Sequence, residues 1–290
     1  MTLALALPYP FDLPFMQRAL VAGLAVGIFA PTIGTFLVQK RMSLIGDGIG
    51  HVAFAGVGAG LVANVAPLWT ALAFAVAGAI GVEWLRSRRK ASGDLALALF
   101  FYSGIALGVV LVSLGGGFNA GVLTYLFGQP LTVDDGEIRS ILLLGVAIVV
   151  IITVMRRLLF AVVTDEDWSR VAGLPVDTAN FALAALTACA VVASMRIVGI
   201  LLVAAMMVLP VASGQLLAHS FAATLRWSIA IGAASVVAGL SASMIWGLAP
   251  GGSIVLVAAG CFAVVAAVGR GAGAGERRHG THAPIGEGRG

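Results

Sequence analysis

FMQRALVAGLAVGIFAPTIGTFLV, residues 15–38, is a run of 24 residues with a single charge, and the basic pair Lys40-Arg41 follows almost at once. A helix of that length spans about 36 Å, enough to cross a hydrocarbon core of about 30 Å. Similar runs recur at 45–66, 68–85, 95–114, 138–159, 176–194, 197–217, 225–246 and 253–268. The composition agrees, with 60% hydrophobic and 10% charged residues against roughly 45–50% and 25% in an ordinary soluble domain. The chain therefore reads as an all-α, polytopic membrane helix bundle of eight to nine spans, with the second and third spans the least clearly separated. Glycine, at 38 residues, favours close helix packing in lipid.

One transmembrane domain is expected over residues 15–268. Residues 1–14 form a short N-terminal segment, which lacks a basic n-region and is broken by prolines, unlike a cleaved signal peptide. Residues 269–290 are rich in Gly and Arg without a period and are expected to form a disordered cytoplasmic tail. Cys189 and Cys261 lie inside apolar runs and read as packed hydrophobes.

Short cytoplasmic loops carry the excess of Lys and Arg. With the N-terminus outside and the C-terminus cytoplasmic, 14 of the 17 basic residues fall on the cytoplasmic side and only Arg18, Arg139 and Arg196 fall outside. The net charge of +4 is thus a matter of topology, and no nucleic-acid partner is needed. No GxxxxGK[ST] phosphate loop is possible, because Lys40 precedes Arg41 and Lys90 precedes Ala91. HExxH is absent too. The chain therefore does not itself bind ATP through such a loop, and no soluble enzyme module is read from it. A serine protease built on Ser213 and His219 would place the histidine near the cytoplasmic end, away from mid-membrane.

Polar residues inside such a chain are candidates for function. RMSLIGDGIGHVAFAG, residues 41–56, sets Asp47 and His51 four apart, on one face of a helix. Ionisable groups at membrane depth are costly and mark pathways or partners. An imidazole and a carboxylate also suit zinc, manganese or iron. The residues leave open the alternative that Asp47 caps the helix and His51 bonds a backbone carbonyl. Glu83 reads as an interfacial salt-bridge partner, Asp94 as a cap, Asn64 as an interhelical hydrogen bonder, and His279 and His282 as solvated. Pro210 is expected to kink or break the seventh span.

Two stretches stand apart from the spans. Residues 115–137 mix Gly with apolar residues, suiting a short half-inserted helix, and end in the acidic rim Asp134, Asp135 and Glu137. TDEDWSRVAGLPVD, residues 164–177, has a cap at Thr164 or Asp165, acids in its first turn, Gly173 as a stop and then Pro175. It predicts a helix of about two turns lying across the cytoplasmic face.

Three stretches together resemble the membrane permeases of ABC-type importers of zinc, manganese or iron. QKRMSLIGDGIGHVAFAGV (residues 39–57) keeps the family's aspartate and histidine, although the family often has SHA and LPG where this chain has Gly50-His51-Val52 and Phe54-Ala55-Gly56. TYLFGQPLTV (residues 124–133) is similar to the family's YLFG segment. DEDWSRVAGLPVDTANFALAALTACAVVASMRIVGILLVAAMMVLPVASGQLL (residues 165–217) resembles its acidic helix, its basic-IVG-LL run and its proline followed by small residues.

The resemblance implies a type II ABC importer-like fold in a bacterial plasma membrane. It implies a coupling helix containing Asp165, Glu166, Asp167, Trp168, Arg170 and Gly173, seated on a separate ATPase subunit that binds ATP. It implies a second copy of the chain, and an extracytoplasmic metal-binding protein docking near Asp134 and Asp135. Asp47 and His51 would lie on the metal pathway, holding zinc or manganese in transit with no permanently bound cofactor. Permeases for iron chelates or corrinoids are the nearest alternative, and an intramembrane protease or an ion-gradient carrier a more distant one.

Overall fold

The computed structural model describes residues 11–88 and 93–279, with side chains up to residue 268. Its elements are α1 (Pro14–Gln39), α2 (Ile45–Ala63), α3 (Pro67–Ser87), α4 (Gly93–Leu114), α5 (Ala120–Phe127), α6 (Asp135–Thr164), α7 (Glu166–Val171), α8 (Val176–Met195), α9 (Val203–Leu217), α10 (Phe221–Trp246) and α11 (Pro250–His279). A single 3₁₀ turn, Pro130–Thr132, precedes α6. Eight of these helices are long and apolar enough to cross a membrane, and α9 is shorter.

The second and third spans are separated by a tight break. Asn64 ends α2 in the left-handed conformation at φ 54°, and Pro67 opens α3. Asn64 is therefore a helix terminator and not the interhelical hydrogen bonder read from its type. Asp94 lies inside the first turn of α4, where a carboxylate favours the helix dipole. The backbone of α11 stays helical to His279; His282 and the rest of the tail lie outside the described residues.

The seventh span differs most from expectation. Pro210 sits within α9 without ending it. The break comes earlier, over residues 196–202, because the chain there crosses another backbone. Ile200 and Leu201 donate their N–H groups to the carbonyls of Tyr125 and Leu126, and Gln129 donates to the carbonyl of Arg196. The crossing requires Gly128 (φ 72°) and Gly199 (φ 94°), since a Cβ on either would lie within 2.6 Å of the opposing backbone. The YLFG and IVG stretches thus form one structural joint.

Contacts at the two ends of the bundle give the direction of each helix. At one end the Phe221 ring, opening α10, meets Phe36 near the end of α1 and Phe160 near the end of α6, at 5.1 and 5.0 Å. At the other end Arg18 pairs with Asp135 at 3.0 Å and Arg196 with Glu137 at 2.8 Å. The chain leaves α8 at the Arg196 end and enters α10 at the Phe221 end. Residues 196–202 and α9 together therefore make a ninth passage.

Helices α1, α2 and α8 form the enclosed centre, with α4, α6 and α11 more exposed at the periphery. Phe29, Ile33, Phe36, Ile49, Met195 and Met206 are fully buried there. Four buried hydroxyls are satisfied within their own helices: Thr35, Thr187, Ser194 and Ser228 each donate to the carbonyl four residues back. In an apolar interior that pairing removes the cost of an orphan donor.

Candidate metal pathway and coupling helix

Asp47 lies in the first turn of α2 and His51 one turn further in. His51 Nε2 and Asp47 Oδ1 are 3.8 Å apart, too far for a hydrogen bond. They are close to the roughly 3.4 Å that two donors adopt when they share a tetrahedral zinc at about 2.1 Å. The His51 side chain is 12% and the Asp47 side chain 34% exposed, so the pair opens to the surface of the single chain.

Glycines set the site's walls. Gly104 of α4 lies against the backbone at His51 and Val52, where a Cβ would come within 2.9 Å. Helix α4 consequently approaches α2 closely. The Phe101 ring then meets the His51 imidazole edge-on, with centroids 4.4 Å apart. That contact holds the imidazole plane while leaving Nε2 directed toward Asp47. Among the described residues no three His, Cys, Asp or Glu side chains come together as a metal cluster. A single chain offers two donors at this place, enough to replace part of an ion's water shell.

Helix α7 forms as its sequence predicts. Asp165 caps it, accepting the N–H of Trp168 at 2.8 Å, and Gly173 follows at φ 76°. Its two faces differ. Glu166 turns toward the bundle, where one carboxylate oxygen faces Lys40 at 3.6 Å and Arg86 at 3.3 Å, and the other accepts from Asn180 at 3.2 Å. Lys40 also donates to Asn180. Arg86 holds the buried Glu83 at 2.9 Å, bearing out the reading of Glu83 as a salt-bridge partner. Arg170 bridges Glu166 at 3.5 Å and Asp177 at 2.9 Å. One short helix is thereby tied to the ends of α1 and α3 and to the first turns of α8.

The charges in this network respond to each other. Burial, followed by repulsion from Arg86, lowers the Lys40 ammonium to about 8, against the pull of Glu83 and Glu166. Burial opposes the charge of Glu166, but Lys40 and Arg86 outweigh it and hold its pKa below the usual carboxylate value. The opposite face of α7 is apolar and bare: Trp168 is 62% and Val171 90% exposed. Exposed large side chains beside an anchored helix are the features of a protein-docking surface.

The acids at the other end have structural partners. Asp134 caps α6 by accepting the N–H of Glu137 at 2.7 Å, and Glu137 reaches back to the Asp134 N–H, completing a capping box. Asp135 pairs with Arg18, and both remain largely exposed. Glu137 binds Arg196, whose guanidinium also lies over the Tyr125 ring at 5.0 Å.

Sequence reading singled out Asp47 and His51, and the structure brings them together. It assigned Glu166 to a short helix across the cytoplasmic face, but missed that Lys40 and Asn180 are its partners within the chain. Lys40 lies 126 positions from Glu166, and no local pattern connects them.

The sequence model of the ABC 3 transport family matches residues 12–269. The manganese transport system membrane protein MntC of Halalkalibacterium halodurans is 31% identical over 250 residues, covering 86% of this chain and 86% of that protein. The solved structure of PsaBC from Streptococcus pneumoniae in complex with Fab is similar at a TM-score of 0.78 and 30% identity, covering 87% of this chain and 90% of that one. An ABC transporter described as of the metal-chelate type shares the fold alone, at a TM-score of 0.65 and 16% identity over 90% of this chain and 91% of that one. With two donors on a glycine-packed helix, a bundle of eight long apolar helices and a family match over nearly the whole described chain, the protein belongs to the ABC 3 transport family, as a multi-pass membrane permease of the ABC-type metal transporters.

Proposed function

We propose that this permease imports a bare divalent ion, manganese or zinc, through a pathway formed between two copies of the chain and driven by a separate ATPase. The observation that carries the cargo is the Asp47–His51 pair, open at the surface and 3.8 Å apart. A second copy facing the first would add the same two donors. Neutral imidazole and carboxylate together suit both metals, histidine being the more typical of zinc and oxygen of manganese. The two donors of either chain alone hold the ion weakly, which lets it leave.

The end of the bundle bearing Lys40, Arg86 and α7 faces the cytoplasm in this reading, in accord with the concentration of basic residues there. The N-terminus and the Asp134–Asp135 end face outward, toward a metal-binding protein in the extracytoplasmic space of a bacterium. ATP binding and hydrolysis in the partner change the separation of the two α7 helices. Each α7 passes that motion through Glu166 to α1, α3 and α8.

Uptake of labelled manganese and labelled zinc by cells carrying the permease with its ATPase and binding protein tests the cargo. One metal, or both, should enter in an ATP-dependent manner, and entry of neither defeats the bare-ion reading. The ATPase contact has a separate test. Trp168→Ala with Val171→Asp should lower recovery of the ATPase with the purified permease by at least about tenfold, as expected for loss of an aromatic anchor. Membrane insertion should be unchanged, because neither side chain supports the bundle. Undiminished recovery would remove α7 as the docking element.

A further inference from the structure

A groove runs along the outside of the bundle between α1 and α6 and continues to α10. Its upper part, a hollow of about 440 Å³, has Val21, Phe29 and Val146 among its walls. Its lower part, about 430 Å³, is bounded by Thr32, Phe36, Thr153 and Phe221, and ends at Arg156 and Arg157. Ile28 and Val149 line both parts, so the two are continuous. From Val21 to Phe36 the groove follows α1 for about 22 Å, longer than one leaflet's hydrocarbon depth of about 15 Å.

The chemistry of its walls is divided. Thr32 and Thr153 donate their hydroxyls to the carbonyls of Ile28 and Val149, which leaves the length of the groove apolar. All its charge is at one end. Arg156 and Arg157 are exposed there, and Arg226 with Trp227 lines a smaller hollow on the flank of α10. Among the described residues none of these three arginines has an ion-pair partner. At the opposite end of the bundle Arg18 and Arg196 are paired with carboxylates, and Arg139 is exposed.

We infer that this groove is a binding site for an anionic phospholipid, with an acyl chain lying along α1 and α6 and the phosphate held by Arg156 and Arg157. Basic pockets between membrane helices recognise anionic headgroups in this manner. The guanidinium fork fits a phosphate in two-point contact. A protein occupant would have to bring carboxylates to the depth of Arg156 and Arg157, whereas a phospholipid already carries its anion at that level. The inference does not rest on the cargo or on ATP coupling.

Native mass spectrometry of the full chain released from nanodiscs of equal parts phosphatidylglycerol and phosphatidylcholine provides the test. The wild type should retain phosphatidylglycerol in preference. Arg156→Gln with Arg157→Gln should reduce that preference roughly tenfold or more, each surface charge contributing severalfold. Both positions are exposed and have no ion pair among the described residues, so the thermal midpoint should not move. Arg156→Lys with Arg157→Lys should keep most of the preference, and Val146→Trp, which fills the groove and leaves both arginines, should lose it. Equal retention of the two lipids by the wild type, or an undiminished preference in the glutamine variant, overturns the site. Disulfide crosslinking of two copies through Val146→Cys would also overturn it, by showing a second chain in the groove. Absence of metal uptake by the wild type, with its lipid preference intact, would count against the transport reading alone.

Discussion

His51→Ala should lower metal uptake by at least about tenfold while the permease still inserts and assembles. Loss even of a hydrogen-bonding neighbour of a metal ligand costs 10–100-fold in affinity or activity, and His51 is one of the two donors that each chain brings to the proposed pathway. The fold should tolerate the change. The imidazole is edge-on to Phe101, a contact worth about 1 kcal/mol, and the close approach of α4 is made by Gly104 to the backbone at position 51. Asp47→Asn should act in the same direction with less disturbance, because it keeps the shape and removes the charge. Uptake at the wild-type rate in either variant, with the complex intact, would return Asp47 to the helix dipole and His51 to packing.

A third variant separates pathway from selectivity. His51→Asp replaces nitrogen by oxygen, so it should favour manganese over zinc relative to the parent. Uptake of the two metals in competition reads the ratio directly. An unchanged ratio would mean that selection occurs elsewhere, and an unchanged rate would mean that residue 51 touches neither ion.

The long helices were legible because apolar length is a local property. Residues 15–38 had to cross something oily whatever their neighbours. The same holds for α7, whose cap at Asp165 and stop at Gly173 lie within ten residues of each other. The seventh span was not legible in this way. Proline at 210 suggested the break, but α9 continues through Pro210, and the true break at 196–202 is fixed by a backbone more than 60 positions earlier in the chain. A break made by a tertiary crossing has no local signature except Gly199, one glycine among 38. The candidate site divides along the same line. Asp47 and His51 are four apart and announce themselves, while the partners of Glu166 lie on α1, α3 and α8.

Those partners determine what Glu166→Gln should do. The substitution leaves Lys40 and Arg86 side by side with one carboxylate fewer, in a place where the Lys40 side chain is only 7% exposed. Removing one member of a buried ion pair costs about 3–5 kcal/mol. Glu166 itself is 31% exposed, so solvent screening reduces the expected loss to about 2 kcal/mol. Lys40→Met should cost much less, because Glu166 keeps Arg86 and Arg170 while an ammonium that burial disfavours is taken away. The asymmetry is the test: thermal unfolding of the two single variants and the double variant should show that the second change partly repairs the first, with a coupling of about 1–2 kcal/mol.

The pH dependence follows with a definite sign. The folded-state pKa of Glu166 is lowered, so its contribution is present above about 4.5 and disappears as pH falls through the lowered value. Lys40 is also lowered, to about 8, so its burial penalty applies in full below pH 8 and is relieved between there and about 10.5. Glu166→Gln should flatten the acid limb of the stability profile, and Lys40→Met the alkaline one. If α7 transmits motion to α1, α3 and α8 through this carboxylate, the Glu166→Gln permease should still bind its ATPase through Trp168 and Val171 while uptake per ATP hydrolysed falls severalfold. Equal falls in hydrolysis and uptake would place the defect in docking instead, and wild-type rates of both would leave Glu166 as a structural anchor without a part in coupling.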